Sequence, residues 1–170
     1  MSDQASVLIV DDSAFMRSIV GKIVEAADGL TVAGKAMNGV FALKKIASLK
    51  PDVIVLDLEM PEMNGIEFLK ERKRLGIDIP VVILSSLARK GARITMEALS
   101  LGASDFVLKP SEPSGSEMSL VADQLTQRLK AYGGRHRSGQ PKSSSSPLDM
   151  GSASSGAAAT IAPRRRQRGD

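Results

Sequence analysis

Cysteine is absent from this 170-residue chain, so disulfides, thiolate zinc sites and cysteine nucleophiles are all excluded, and a reducing compartment fits. Tryptophan is absent as well, and tyrosine and histidine each occur once. No segment approaches the roughly 20 consecutive apolar residues that a membrane helix needs. The start, MSDQASVLIVDDS, lacks a basic leader followed by an apolar stretch. The expectation is a cytoplasmic protein with no membrane partner.

A formal charge of +4 suggests a polyanion ligand until its distribution is considered. Residues 133–170 carry seven basic groups (Arg135, Arg137, Lys142, Arg164, Arg165, Arg166, Arg168) against Asp149 and Asp170. The remaining 1–132 hold 16 basic and 17 acidic side chains, a net of −1. That part shows no electrostatic footprint for nucleic acid, and the terminal RRRQR run reads as a solvated tail.

What is present is alternation. SVLIV, LTVAGKA, VIVLD, PVVILSS and SDFVLKP read as strands, bounded by turn and breaker residues. Between them lie segments with helical spacing. In AFMRSIVGKIVEAAD, residues Met16, Ile19, Val20, Ile23, Val24 and Ala27 share one face. VFALKKIASLK ends at Pro51, GIEFLKERKRLG has Gly76 as its stop, and GARITMEALSLG is a weaker pattern. The last helix is expected from about Ser116 to Tyr132, with Met118, Val121, Ala122, Leu125, Leu129 and Tyr132 on one side. Five strands alternating with five helices imply an α/β, doubly wound parallel sheet joined by right-handed crossovers, in an order that the pattern alone leaves open. Residues 1–132 are read as the folded domain. Residues 133–170, rich in Ser, Gly and Ala and without apolar periodicity, are read as a disordered linker or tail.

The stretch VIVLDLEMPEMNG drives Asp57 to the tip of a run of four aliphatic residues. A strand without alternation is buried on both faces, and the carboxyl end of a parallel strand faces the ligand crevice. Asp11 and Asp12 follow the first strand, Ser85 and Ser86 the fourth, Lys109 and Pro110 the fifth. If the first, third, fourth and fifth strands are neighbours, one cleft collects three carboxylates, hydroxyls and an ammonium. Clustered carboxylates repel unless a cation compensates, and Mg2+ takes oxygen ligands of this kind. A carboxylate can also attack phosphorus to give an acyl phosphate, whose oxygens then need cationic and hydroxyl partners. Each residue also has a plainer reading: Asp12 or Ser13 as a helix cap, Ser85 as a strand-end hydroxyl, Lys109 as a loop cation, Phe106 as core. His136 is given no role.

LIVDDS, VIVLDLEMPEMNG, VVILSS and DFVLKP, in this order and spacing, resemble a response-regulator receiver domain of two-component signalling, over residues 6 to about 132. The resemblance implies a flavodoxin-like fold with strand order 2-1-3-4-5. It implies Asp57 as phosphoacceptor, and Asp11 and Asp12 as the acidic pair, with Asp12 a direct Mg2+ ligand alongside Asp57. It further implies the Glu59 backbone carbonyl as a metal ligand, Ser85 as switch hydroxyl, Phe106 as switch aromatic, and Lys109 as partner of the phosphoryl group. A histidine kinase is the implied donor. The resemblance also implies that the Glu59 side chain lies near the path of the water that hydrolyses the acyl phosphate, and that the small Ser86 leaves the phosphoryl group accessible.

The segment VVILSSLARKGARITMEALSLGASDFVLKPSEPSG is similar to the receiver half of chemotaxis protein-glutamate methylesterases of the CheB type. In that family a linker leads to a methylesterase catalytic domain. No glycine-flanked serine follows a strand here, and the single histidine falls in the expected linker, so a Ser-His-Asp hydrolase is not contained in these residues. The alternatives are a stand-alone receiver acting by partner binding, and a phosphohydrolase of the haloacid dehalogenase type. Against the latter, DLE follows the third strand and no cap segment is visible.

Overall fold

A computed structural model describes residues 4–60, 63–85, 89–109 and 115–139. Five strands, β1 (Ala5–Val10), β2 (Leu30–Ala36), β3 (Val53–Asp57), β4 (Val81–Ser85) and β5 (Asp105–Leu108), alternate with five helices. The helices are α1 (Ala14–Ala26), α2 (Gly39–Leu49), α3 (Gly65–Arg74), α4 (Arg89–Ser100) and α5 (Gly115–Ser138). The sheet is parallel throughout, in the order β2-β1-β3-β4-β5. This is the expected flavodoxin-like arrangement, and it makes neighbours of the four strands whose ends carry the singled-out residues. Ser86, Pro61, Pro110, Pro113 and the RRRQR tail lie outside the described residues.

The unalternating runs are buried on both sides because helices cover both faces. Every residue of β3 and β4 is buried. Leu8, Val10, Ile54, Leu56 and Ile83 point to one face and pack with Ala42 and Ile46 of α2, Phe68 and Leu69 of α3 and Ala98 of α4. Val7, Ile9, Val53, Val55, Val82, Leu84 and Val107 point to the other and pack with Val20 and Val24 of α1 and Leu125 and Leu129 of α5. Each fully buried aliphatic side chain contributes about 1.5–3 kcal/mol relative to exposure, so this core fixes where the strand ends lie.

Short polar side chains set the helix starts. Ser13 accepts the Met16 N–H at 3.2 Å and Asn38 accepts that of Phe41 at 3.0 Å. At α3, Asn64 and Glu67 form a reciprocal capping box. Gly76, with φ +72°, ends that helix region as its left-handed conformation requires.

One boundary departs from the expectation. Helix α5 does not stop at Tyr132 but runs to Ser138, so residues 133–138, read as linker, are helical and His136 sits on a helix. The Gly133–Gly134 pair looked like a breaker. In the structure Gly133 is buried where α5 crosses the sheet: a Cβ there would stand 3.0 Å from Ala5 Cβ and 3.1 Å from Val53 Cγ1. Gly133 is therefore a close-approach glycine. The extension carries His136 Nδ1 to 3.5 Å from Asp52 Oδ1 and Nε2 to 3.8 Å from Asp78 Oδ1. Among the described residues, no helix is long and apolar enough to cross a membrane.

Candidate functional site

The carboxyl edges of β1, β3, β4 and β5 form the site. Asp11 follows β1 directly and Asp57 is the last residue of β3; they are 3% and 6% exposed. Asp12 beside them is exposed. One carboxylate oxygen from each of Asp11, Asp12 and Asp57 lies within 4.8 Å of the other two. Lys109, one residue past β5, places Nζ 3.5 Å from Asp57 Oδ1 and 3.6 Å from Asp11 Oδ2. The first and fifth strands thus deliver a carboxylate and an ammonium to the third, the convergence expected if these strands are neighbours.

Backbone contacts hold this geometry. The Ser13 N–H donates to Asp11 Oδ1 at 2.9 Å, so Ser13 positions the acid while its hydroxyl caps α1. Arg17 donates to the Asp11 carbonyl at 2.7 Å, tying α1 to the loop from beneath. Gly65 donates to the Leu58 carbonyl at 3.0 Å and leaves no room for a Cβ, which would meet Leu58 Cα at 2.7 Å and the Asp57 carbonyl at 2.9 Å. That closeness lets α3 begin directly behind the tip of β3. Glu59, exposed, directs its N–H toward Asp57 Oδ1 at 3.4 Å.

The electrostatics follow from burial. Desolvation, then repulsion by Asp11, push the Asp57 carboxyl up from 3.8 to about 7, against the pull of Lys109. Desolvation likewise raises Asp11, opposed by the Ser13 N–H and by Lys109. One ammonium does not offset three crowded carboxylates. The donor set is that of a hard cation: three carboxylates, each offering an oxygen within 4.8 Å of the other two. The residues present fit Mg2+.

Ser85 and Phe106 belong to the same edge. Ser85, the last residue of β4, is buried, and its carbonyl accepts the Lys109 N–H at 2.7 Å. The β3–β4 register pairs Asp57 with Leu84, putting Ser85 one step beyond Asp57 on the neighbouring strand. Phe106, half-buried on β5, packs against the core face shared with α4.

Two residues of this site were not anticipated. Arg17 is one. The other is Thr95 of α4, which is 4% exposed and donates to Ser85 Oγ at 2.9 Å. Thr95 and Ala98 stand at i and i+3, one helix face, and Ala98 is fully buried. A hydroxyl on the buried face of that helix was the available signal.

Comparison with known proteins agrees with this geometry. The response regulator receiver domain family matches residues 7–117. A protein-glutamate methylesterase/protein-glutamine glutaminase of Treponema denticola is 60% identical over 131 residues, covering 77% of this chain and 35% of that protein. Its counterpart in Treponema pallidum is 55% identical over 136 residues, covering 80% and 34%. The chain thus spans about a third of the length of these curated relatives. The crystal structure of the response regulator domain of Thermotoga maritima CheB matches with a TM-score of 0.68 at 41% identity, covering 76% of this chain and 96% of that one. On the family match, the shared sheet order and the likeness to CheB, the chain belongs to the response-regulator receiver domains, of the CheB type.

Proposed function

We propose that this receiver takes a phosphoryl group on Asp57 from the phosphohistidine of a chemotaxis-type histidine kinase, and thereby regulates a methylesterase domain attached to it or bound as a partner. The supporting observation is the convergence of Asp11, Asp12, Asp57 and Lys109 at one sheet edge. The relatives, more than twice as long, are named as methylesterases and glutaminases, which supports an output domain of that class.

In the reaction, an Asp57 carboxylate oxygen attacks phosphorus in line with the histidine nitrogen. The O–P bond forms as the P–N bond breaks, and the imidazole leaves with its electron pair. Asp57 must be ionised to attack, and its burial opposes this. Lys109 favours the ionised form and then pairs with a phosphoryl oxygen. Asp11, Asp12, Asp57 and the Glu59 carbonyl are the residues that would hold Mg2+, which when bound quenches the carboxylate repulsion and neutralises charge developing on the phosphoryl oxygens. Ser85 then donates its hydroxyl to a phosphoryl oxygen, and Phe106 turns inward into the space behind it. The face of α4, β5 and α5 changes with them, a population shift driven by contacts made only in the phosphorylated state.

Intact mass measurement after incubation with acetyl phosphate and Mg2+ tests the reading. The native chain is expected to gain one phosphoryl mass and Asp57→Asn none. No gain by the native chain, or equal labelling of both, overturns it.

A further inference from the structure

The turn from β2 into α2 holds no residue of the acidic cluster, yet its backbone is bonded both to the loop of Asp11 and Asp12 and to the loop that follows Asp57. The Ala36 carbonyl accepts the Asp11 N–H at 3.1 Å, and the Gly39 N–H donates to the Met63 carbonyl at 3.1 Å. Ala36, Asn38 and Gly39 are buried. The second bond depends on glycine: a Cβ at position 39 would stand 2.6 Å from Met63 Cγ, 2.8 Å from its Sδ and 2.8 Å from its carbonyl oxygen, too close for any side chain. Met63 has φ +48°, a left-handed conformation that a residue with a side chain adopts at a cost and keeps only where its surroundings hold it. Leu58 and Met60, on either side of Glu59, are buried in the core face on which Met63 also packs, and the Glu59 N–H faces Asp57 Oδ1 at 3.4 Å. The Glu59 backbone is thus fixed by its neighbours.

We propose that Gly39 and Met63 are positioning residues for the divalent cation: their backbone bond and close packing hold the Glu59 carbonyl in place relative to Asp11, Asp12 and Asp57. This rests on the receiver reading above and names what sets the cation affinity of the same site. The β2–α2 turn acts as a span of fixed length, bonded to Asp11 at one end and to Met63 at the other. Mg2+ demands a near-ideal octahedron of oxygens, so its affinity depends on ligands already in place. A carboxylate adjusts by rotating its side chain, whereas a main-chain carbonyl moves only with its loop. The left-handed turn at Met63 favours relaxation of that loop, and the contact with Gly39 opposes it. Enlarging residue 39 pushes against the Met63 carbonyl and side chain together, and the loop then carries Glu59 out of register with the carboxylates.

Titration with Mg2+, read on the amide resonances of Asp11, Asp57 and Glu59, tests this in the native chain and in variants. Gly39→Ala is expected to bind Mg2+ about tenfold more weakly, and Met63→Gly, the milder change, about threefold more weakly, the scale of loss when a group supporting a ligand is altered. The double variant is expected to lie nearer to Met63→Gly than to the roughly thirtyfold that independent effects would multiply to, because a glycine at 63 removes the Cγ and Sδ that the new methyl meets. Gly133→Ala, which strains the far end of the sheet at Ala5 and Val53, is expected to bind within about twofold of native, separating placement of the ligand from loss of stability. Labelling of Gly39→Ala by acetyl phosphate is expected to fall at limiting Mg2+ and to recover at saturating Mg2+. Native affinity in either single variant, independent effects in the double variant, an equal loss in Gly133→Ala, or a labelling defect that saturating Mg2+ leaves in place overturns the proposal. Should Gly39→Ala not fold, Met63→Gly alone decides. A native chain that binds Mg2+ but takes no phosphoryl group ends the receiver reading, while the titrations still decide whether Gly39 and Met63 place the ligand.

Discussion

The Lys109 ammonium stands 3.5 Å from Asp57 Oδ1, although Asp57 ends β3, Lys109 follows β5, and β4 lies between those strands. The sheet supplies this meeting: β4 lies between β3 and β5, and the Lys109 N–H is bonded to the last carbonyl of β4. A flexible lysine stem then spans the remaining gap toward both Asp57 and Asp11.

Replacing that ammonium has two expected effects. In Lys109→Met the attraction that lowers both buried carboxyls is gone, so Asp57 titrates at a higher pH than in the native chain. Carbon-13 NMR of the carboxyl resonances reads this directly. Labelling by acetyl phosphate falls by about 100-fold or more, the usual cost of losing one preorganised partner for developing charge. An unchanged labelling rate would remove Lys109 from the proposed mechanism.

The raised Asp57 carboxyl makes stability depend on pH in a direction opposite to that of most paired acids. Below about pH 4 the carboxyl is protonated in the folded and unfolded chains alike, and it costs nothing. Between 3.8 and about 7 the unfolded chain has released the proton while the folded chain retains it, so stability falls as pH rises. Above about 7 both are ionised and the full penalty, at most about 4 kcal/mol, is present. With EDTA, Asp57→Asn is therefore expected to melt higher than the native chain at pH 8 and at nearly the same temperature at pH 4. Mg2+ is expected to raise the native melting point at pH 8 and to do much less for Asp57→Asn. A variant advantage that is equal at both pH values would show that the carboxyl is not buried against repulsion.

Much of this was legible in the chain. Val53 to Leu56 and Val81 to Leu84 read as doubly buried strands because apolar runs of that length have few other homes, and parallel topology then forces their following residues to one edge. Asp11, Asp12, Asp57 and Lys109 were found in that way. The end of α5 was not, because glycine carries no side chain to report burial; only the packing of Gly133 on Ala5 and Val53 reveals why it is there. Thr95 escaped notice for a related reason. A hydroxyl among the polar residues of α4 looks solvated until the partner, Ser85, is brought to it from ten residues away.

Gly65 is tied to the site by space alone. A Cβ at this position would meet backbone, Leu58 Cα at 2.7 Å and the Asp57 carbonyl at 2.9 Å, and backbone cannot swing aside as a side chain can. Gly65→Ala is expected to cost about 2–3 kcal/mol in denaturant unfolding. It is also expected to slow labelling, since the relief available is a shift of Asp57 itself. Native stability with native labelling would mean that α3 moves away from β3 without disturbing its tip.

Adjacent glycines near the end of α5 offer opposite outcomes from the same substitution. At Gly134, which is exposed, a Cβ would have nothing within 4 Å, so Gly134→Ala is expected to stabilise the chain by about 0.8–1 kcal/mol through helix propensity. At Gly133 the added methyl must displace Ala5 and Val53 by a few tenths of an ångström, at the foot of the two central strands. That strain exceeds the propensity gain, and Gly133→Ala is expected to be destabilising by about 1 kcal/mol net. Amide exchange over residues 133–138 follows suit: slower in Gly134→Ala, faster in Gly133→Ala, and faster in His136→Ala, which removes the contacts to Asp52 and Asp78. Equal effects of the two alanines would return this segment to the status of a linker. Opposite effects would fix the direction in which the chain leaves the domain, since a docked helix end passes its orientation to whatever follows it.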